Sequence, residues 1–124
     1  MSKRILVIED TEDNRRIIRD LLSSVGYELI EAADGAEGVA LAQSQHPDLV
    51  LMDIQLPEMD GYEAMRRIRA IPELADVPII AVTSYALSGD EVKARDAGCN
   101  GYVAKPFSPR ELLAKIREFL PDAG

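Results

Sequence analysis

Three apolar runs that show no polar alternation, Ile5 to Ile8, Leu49 to Met52 and Ile79 to Val82, constrain this chain more than any other feature. A run of this kind has no face to offer to water. Each is therefore expected to be a strand covered on both sides, as in a parallel sheet enclosed between helices. Glu28 to Glu31 and Tyr102 to Ala104 are shorter strand candidates. The segments between carry helical spacing: Ile17, Ile18, Leu21, Leu22 and Val25 are expected on one helix face, and Leu112, Leu113, Ile116 and Leu120 on another. Strand and helix thus alternate five times along the chain. Parallel strands need crossovers, so the pattern predicts an α/β fold, a (βα)5 three-layer sandwich with right-handed connections.

The punctuation agrees. Gly26 and Gly98 stand where helices should end, and Pro47, Pro72, Pro78 and Pro121 fall at or near element boundaries. Ser108-Pro109 with Glu111 reads as a capping box opening the last helix, and Ser88 with Glu91 as one opening the fourth, over Ser88 to Ala97. That fourth helix has a thin apolar face of Val92, Ala94 and Ala97, so it is expected to be held less firmly than its neighbours. Asn100-Gly101 is read as a helix-to-strand connector rather than a hairpin. No repeat, linker or low-complexity stretch divides the 124 residues, and residues 1–124 are read as a single domain.

Charge narrows the function. With 22 acidic and 14 basic residues the net charge is −8, which opposes attraction to nucleic-acid backbones or anionic lipid. The lone Cys99 cannot form an internal disulfide, and beside Ala97 and Gly98 it reads as a small buried filler. No apolar run reaches the length of a membrane helix, so a cytoplasmic location is expected.

Ligands in such sheets bind at the C-terminal ends of the strands. Those ends offer Glu9 and Asp10 after the first strand, Asp53 after the third, Thr83 after the fourth and Lys105 after the fifth. The second ends in Ala32-Ala33, as suits a sheet edge. Clustered carboxylates repel one another unless a cation intervenes, and hard oxygen ligands without Cys or His favour Mg²⁺, with Mn²⁺ as the other choice. An ammonium and a hydroxyl suit phosphoryl oxygens, which makes Asp53 the candidate nucleophile for an acyl phosphate. Each residue alone has an ordinary explanation as a helix cap or a solvated charge. Independent caps do not require their conjunction.

At these positions the sequence resembles the receiver domains of bacterial response regulators, from Ile5 to about Leu120. The matching pieces are Ile-Glu-Asp at 8–10, Leu-Met-Asp-Ile-Gln-Leu-Pro-Glu-Met-Asp-Gly at 51–61, Val-Thr-Ser at 82–84 and Ala-Lys-Pro-Phe at 104–107. The resemblance implies a flavodoxin-like parallel sheet of order 2-1-3-4-5, with Asp53 as phosphoacceptor. It implies that Asp10 binds Mg²⁺ directly, that Glu9 reaches it through water, and that the backbone carbonyl of Gln55 completes the protein ligands. Thr83 and Lys105 would bind the phosphoryl group, Lys105-Pro106 would be cis, and Tyr102 would be the aromatic switch residue. Glu9 in place of an Asp is a departure that keeps the charge on a longer arm. Tyr85, two residues past Thr83, is a second departure and a candidate modifier of dephosphorylation.

The function implied is a phosphorylation-activated switch of a two-component system. It would take its phosphoryl group from a histidine kinase or histidine phosphotransfer protein, catalyse only its own phosphorylation and dephosphorylation, and signal to a downstream protein through the fourth helix, fifth strand and fifth helix. His46, before Pro47 and far from the acidic cluster, is read as a surface loop residue and not as a relay histidine. A Mg²⁺-dependent aspartyl-phosphate phosphatase is the competing class, but it needs a second Asp where this chain has Gln55. A receiver excised from a hybrid histidine kinase would look the same. The Met1 start and short Pro121-Gly124 tail incline toward a single-domain regulator.

Overall fold

The computed structural model describes residues 3–83 and 90–120. Five strands, β1 (Arg4–Ile8), β2 (Glu28–Ala32), β3 (Leu49–Asp53), β4 (Ile79–Thr83) and β5 (Gly101–Ala104), alternate with five helices. The helices are α1 (Glu12–Ser24), α2 (Gly35–Gln45), α3 (Gly61–Arg69), α4 (Asp90–Ala97) and α5 (Pro109–Phe119), and a short 3-10 turn at Pro72–Leu74 precedes β4. The sheet is parallel throughout in the order β2-β1-β3-β4-β5. Its central strands β3 and β4 are buried at every position, which is why their sequences show no alternation.

Alternate residues of each strand feed two cores. Leu6, Ile8, Val50, Met52, Ile79 and Ala81 pack with Ala64, Met65 and Ile68 of α3 on one face. Ile5, Val7, Leu49, Leu51, Ile80 and Val103 pack with α1 and α5 on the other, through Ile18, Leu22, Leu112 and Ile116. Both faces of the central strands are thereby closed to water, which leaves the strand ends to carry polar groups.

The helix ends follow their sequence signals. Ser108 and Glu111 form the reciprocal capping box, with Pro109 at the first helical position. Asp34 and Asp60 cap α2 and α3 by accepting from the Glu37 and Glu63 amides. Gly26 and Gly98 both have positive φ, at 94° and 123°, where a side chain would be strained. The Lys105-Pro106 bond is cis. Cys99 is buried and its thiol pKa is pushed up by that burial, in keeping with an inert filler.

Two apolar residues are not where the periodicity put them. Ile17 is 61 % exposed, because it lies about 100° round the helix from Ile18 and so falls at the margin of the buried stripe. Val92 is 63 % exposed, on the side of α4 away from buried Ala94 and Ala97. The apolar face of α4 is therefore two alanines, supplemented by Lys93, whose ammonium lies 5.0 Å from the Tyr62 ring of α3. The expected Ser88 cap of this helix lies outside the described residues.

Candidate functional site

The C-terminal rim gathers the polar residues that the strand ends supply. Asp53 is the last residue of β3, in register with Val82, and the chain stays paired one step further through the Ile54 amide on the Val82 carbonyl at 2.9 Å. Glu9 follows β1 and is held on the sheet by its amide donating to the Ala32 carbonyl at 3.1 Å. The Lys105 amide donates to the Thr83 carbonyl at 2.6 Å, extending the β4–β5 ladder to the rim. Side chains on these positions have little backbone freedom, which is what a preorganised site needs.

Gly61 shows how tightly the rim is packed. A Cβ there would lie 2.5 Å from the Asp53 carbonyl oxygen and 2.6 Å from the Ile54 Cα. Glycine lets the start of α3 tuck against the backbone that carries Asp53, and the Gly61 amide donates to the Ile54 carbonyl at 3.0 Å.

Glu9, Asp10 and Asp53 each bring a carboxylate oxygen within 4.8 Å of the others. Glu9 and Asp53 are buried, while Asp10 is exposed. One ammonium faces the group: Lys105 Nζ is 2.9 Å from Glu9 Oε1 and 3.4 Å from Asp53 Oδ2. Glu9 Oε2 accepts from the Thr11 amide at 2.9 Å, and the Arg15 guanidinium donates to the Glu9 carbonyl at 2.7 Å. Asp53 Oδ1 accepts from the Gln55 amide at 3.0 Å.

The charges are unevenly satisfied. Burial opposes ionisation of Glu9, but the Thr11 amide and Lys105 outweigh it and hold its carboxyl below the usual range. Asp53 bears the consequence: burial first, then the charge of Glu9, push its pKa up to about 6 against the pull of Lys105. Asp10 is raised by the same two causes, burial and Glu9. Lys105 loses hydration, yet Glu9 and Asp53 raise its pKa and keep it cationic. Three carboxylates around one ammonium leave an excess of negative charge on oxygen ligands, a donor set that fits a small hard dication.

Thr83, 1 % exposed, sits at the end of β4 and accepts a hydrogen bond from the Gln55 side-chain amide at 2.6 Å. Tyr102 is partly buried on β5 and packs against the core that contains Ala94 and Ala97. Its position beside β4 is set by the register pairing it with Ala81. Tyr85 lies outside the described residues. His46 is exposed with φ 49°, closing α2 at the far end of the sheet, where it has no part in the site.

The rim thus unites Glu9, Asp10, Asp53, Thr83 and Lys105 as their strand-end placement predicts. Three contributions were not anticipated from the sequence: the Gln55 side chain on Thr83, the Gln55 amide on Asp53, and the Asn14 amide 3.5 Å from Glu9 Oε1. Gln55 and Asn14 follow strands β3 and β1 in loop or first-turn positions, but nothing in residue type alone says which way such a side chain turns.

Comparison with known proteins bears on this geometry. The family described as response regulator receiver domain matches residues 5–117. The polar-differentiation response regulator DivK of Brucella ovis is 43% identical over 123 residues, 99% of this chain and all of that protein. Among solved structures, the receiver domain of the sensor histidine kinase PA1611 from Pseudomonas aeruginosa, with a magnesium ion coordinated in its active-site cleft, superposes with a TM-score of 0.91. It is 41% identical and the alignment covers 98% of this chain and 100% of that one. The chemotaxis protein CheY4 of Vibrio cholerae aligns at a TM-score of 0.92 with 28% identity, over 96% and 99% of the two chains.

Proposed function

The chain belongs to the response regulator receiver domain family, whose members are phosphorylation-activated signalling switches, and we propose that Asp53 is its phosphoacceptor. The observation that carries the assignment is a buried, charge-frustrated carboxylate that belongs to the carboxylate cluster and lies 3.4 Å from the Lys105 ammonium. In transfer, a carboxylate oxygen of Asp53 forms a bond to phosphorus as the bond from phosphorus to the donor's imidazole nitrogen breaks, and the leaving imidazole takes up a proton. Lys105 stands where it can pair with charge developing on the phosphoryl oxygens, and Thr83 offers its hydroxyl to the same group.

Glu9, Asp10 and Asp53, with the Gln55 backbone carbonyl, are the residues that would hold Mg²⁺, or Mn²⁺ in its place. A bound dication would supply neutralisation of the carboxylates and of the phosphoryl oxygens. Exposed Asp10 is suited to direct coordination, whereas Glu9 is already tied to Thr11 and Lys105, which supports its contact through water.

Receiver domains interact with kinases or phosphotransfer proteins and with downstream targets, and they are signalling proteins rather than turnover enzymes. In this reading a phosphohistidine on a histidine kinase or phosphotransfer protein is the donor, and the chain catalyses only its own phosphorylation and dephosphorylation in the cytoplasm. The output face is that of α4, β5 and α5, with Thr83 and Tyr102 as the switch pair. The slight burial of α4 supports its being the element that moves. Residues 1–124 act in it as one receiver unit.

The test is incubation with Mg²⁺ and a small acyl-phosphate donor, read by intact mass. Wild type should gain one phosphoryl group and Asp53→Ala none. Equal labelling of the two proteins would remove the assignment.

A further inference from the structure

Gln55 enters the site by three routes. Its backbone amide binds Asp53 Oδ1, its carbonyl is the proposed metal ligand, and its side-chain amide crosses from the loop after β3 to donate to Thr83 Oγ1 at 2.6 Å. The third contact is independent of the other two, because it uses the side chain alone. Resting on the reading that Asp53 receives the phosphoryl group, we propose that the Gln55 side chain is a positioning residue that restrains the Thr83 hydroxyl in the resting protein, a restraint that phosphorylation has to break.

Three observations carry this. Thr83 is almost wholly buried, so its hydroxyl cannot fall back on bulk water and depends on protein partners. Among the described residues the oxygens of Asp53 are engaged by the Gln55 amide and Lys105, not by the Thr83 hydroxyl, which is turned to the β3–α3 loop instead. Threonine is β-branched and occupies few side-chain rotamers, so its hydroxyl moves between discrete positions rather than gradually. Bringing it to a phosphoryl oxygen on Asp53 therefore competes with the amide.

The residue type matters. Gln spans the gap to Thr83 with a neutral amide, whereas Glu would add a fourth carboxylate beside Glu9, Asp10 and Asp53, and an aliphatic side chain would leave Thr83 without this partner. Substitution of the side chain leaves the backbone amide and carbonyl of residue 55 in place, so the acceptor and metal contacts are separable from the restraint.

The experiment measures binding of beryllofluoride, a stable phosphoryl mimic, in the presence of Mg²⁺, and the methyl resonance of Thr83 in metal-free protein. Gln55→Leu should bind the mimic roughly two- to tenfold more tightly than wild type, the range set by one net hydrogen bond. Its metal-free Thr83 methyl signal should be displaced toward the position seen with the mimic bound. In a Thr83→Val background, which has no hydroxyl to restrain, Gln55→Leu should change affinity by a factor near one. Gln55→Met, of similar length and flexibility, serves as a second variant, with amide dispersion reporting folding of each. Unchanged or weaker binding in the folded variants, or a gain that persists with Thr83→Val, would overturn the restraint while leaving Asp53 as acceptor. A wild type that takes up no beryllofluoride would overturn both.

Discussion

At the N-terminal ends of β4 and β5, the hydrogen-bond acceptors of Arg69 among the described residues are neutral oxygens, whereas at the C-terminal ends of β1, β3 and β5, Lys105 meets carboxylates. Arg69 donates to the Gly98 carbonyl at 2.8 and 3.0 Å, to the Leu74 and Ala75 carbonyls at 3.0 and 3.2 Å, and to Asn100 Oδ1 at 2.6 Å. Asn100 Oδ1 also accepts from the Ile79 amide at 2.9 Å, so the cluster ties the ends of α3 and α4 to the start of β4. These partners are backbone and amide groups that no titration or ligand alters. The opposite rim holds three carboxylates against one ammonium, and raises the pKa of Asp53 to about 6. One end of the sheet spends its polar groups on closing the fold. The other gathers more carboxylates than cations, so that a dication and a phosphoryl group have a charge balance to complete.

Removing either centrepiece should expose the difference. Arg69→Ala strips donors from three carbonyls in two separate segments, 74–75 and 98–100, and an unfolding midpoint in urea should fall by an amount worth about 3 kcal/mol while phosphorylation of Asp53 survives. If stability holds, the N-terminal rim is not the clamp described. Asp53→Asn should do the reverse in chelator-treated protein at neutral pH, abolishing labelling while raising stability by on the order of 2 kcal/mol. The sign follows from the pKa. A carboxyl raised from its ordinary value of 3.8 to about 6 in the fold is penalised only when ionised, so the penalty is absent at low pH, grows as pH rises from about 4 and is full above about 6. The advantage of the Asn variant should fade on acidification through that window, and a pH-independent gain would show that charge is not its source.

The smallest effect tests an exception. Tyr27, just before β2 on the well-satisfied end, is 4 % exposed, and its hydroxyl is buried with no hydrogen-bond partner among the described residues. Tyr27→Phe keeps the ring in the core and should raise the melting temperature slightly, by about 1 kcal/mol of stability. A loss of stability would mean that the hydroxyl is partnered after all and that this end is uniformly satisfied.

Residue patterns made the central strands legible because burial on both faces writes itself as an unbroken apolar run, as in β3 and β4. Gly26, Gly98 and the Ser108 capping box marked helix ends for equally local reasons, a positive φ and a reciprocal pair of hydrogen bonds three residues apart. Exposure was less legible. Ile17 and Val92 are apolar at near-helical spacing, but whether a marginal position is covered depends on which neighbouring element lies beside it.

The same division runs through the site. That Glu9, Asp10, Asp53, Thr83 and Lys105 would meet was determined by the sequence, because each follows the last apolar residue of a strand and parallel strands end on one rim. Which oxygen faces which donor was decided only by the tertiary structure. Lys105 and Glu9 are 96 positions apart, and Gln55 and Thr83 are 28 apart, so the charge balance at Asp53 and the amide on Thr83 arise from register between strands. Local sequence sets where a residue lies along its own element, while the partner of a long flexible side chain is chosen by the packing of elements that are remote in the chain.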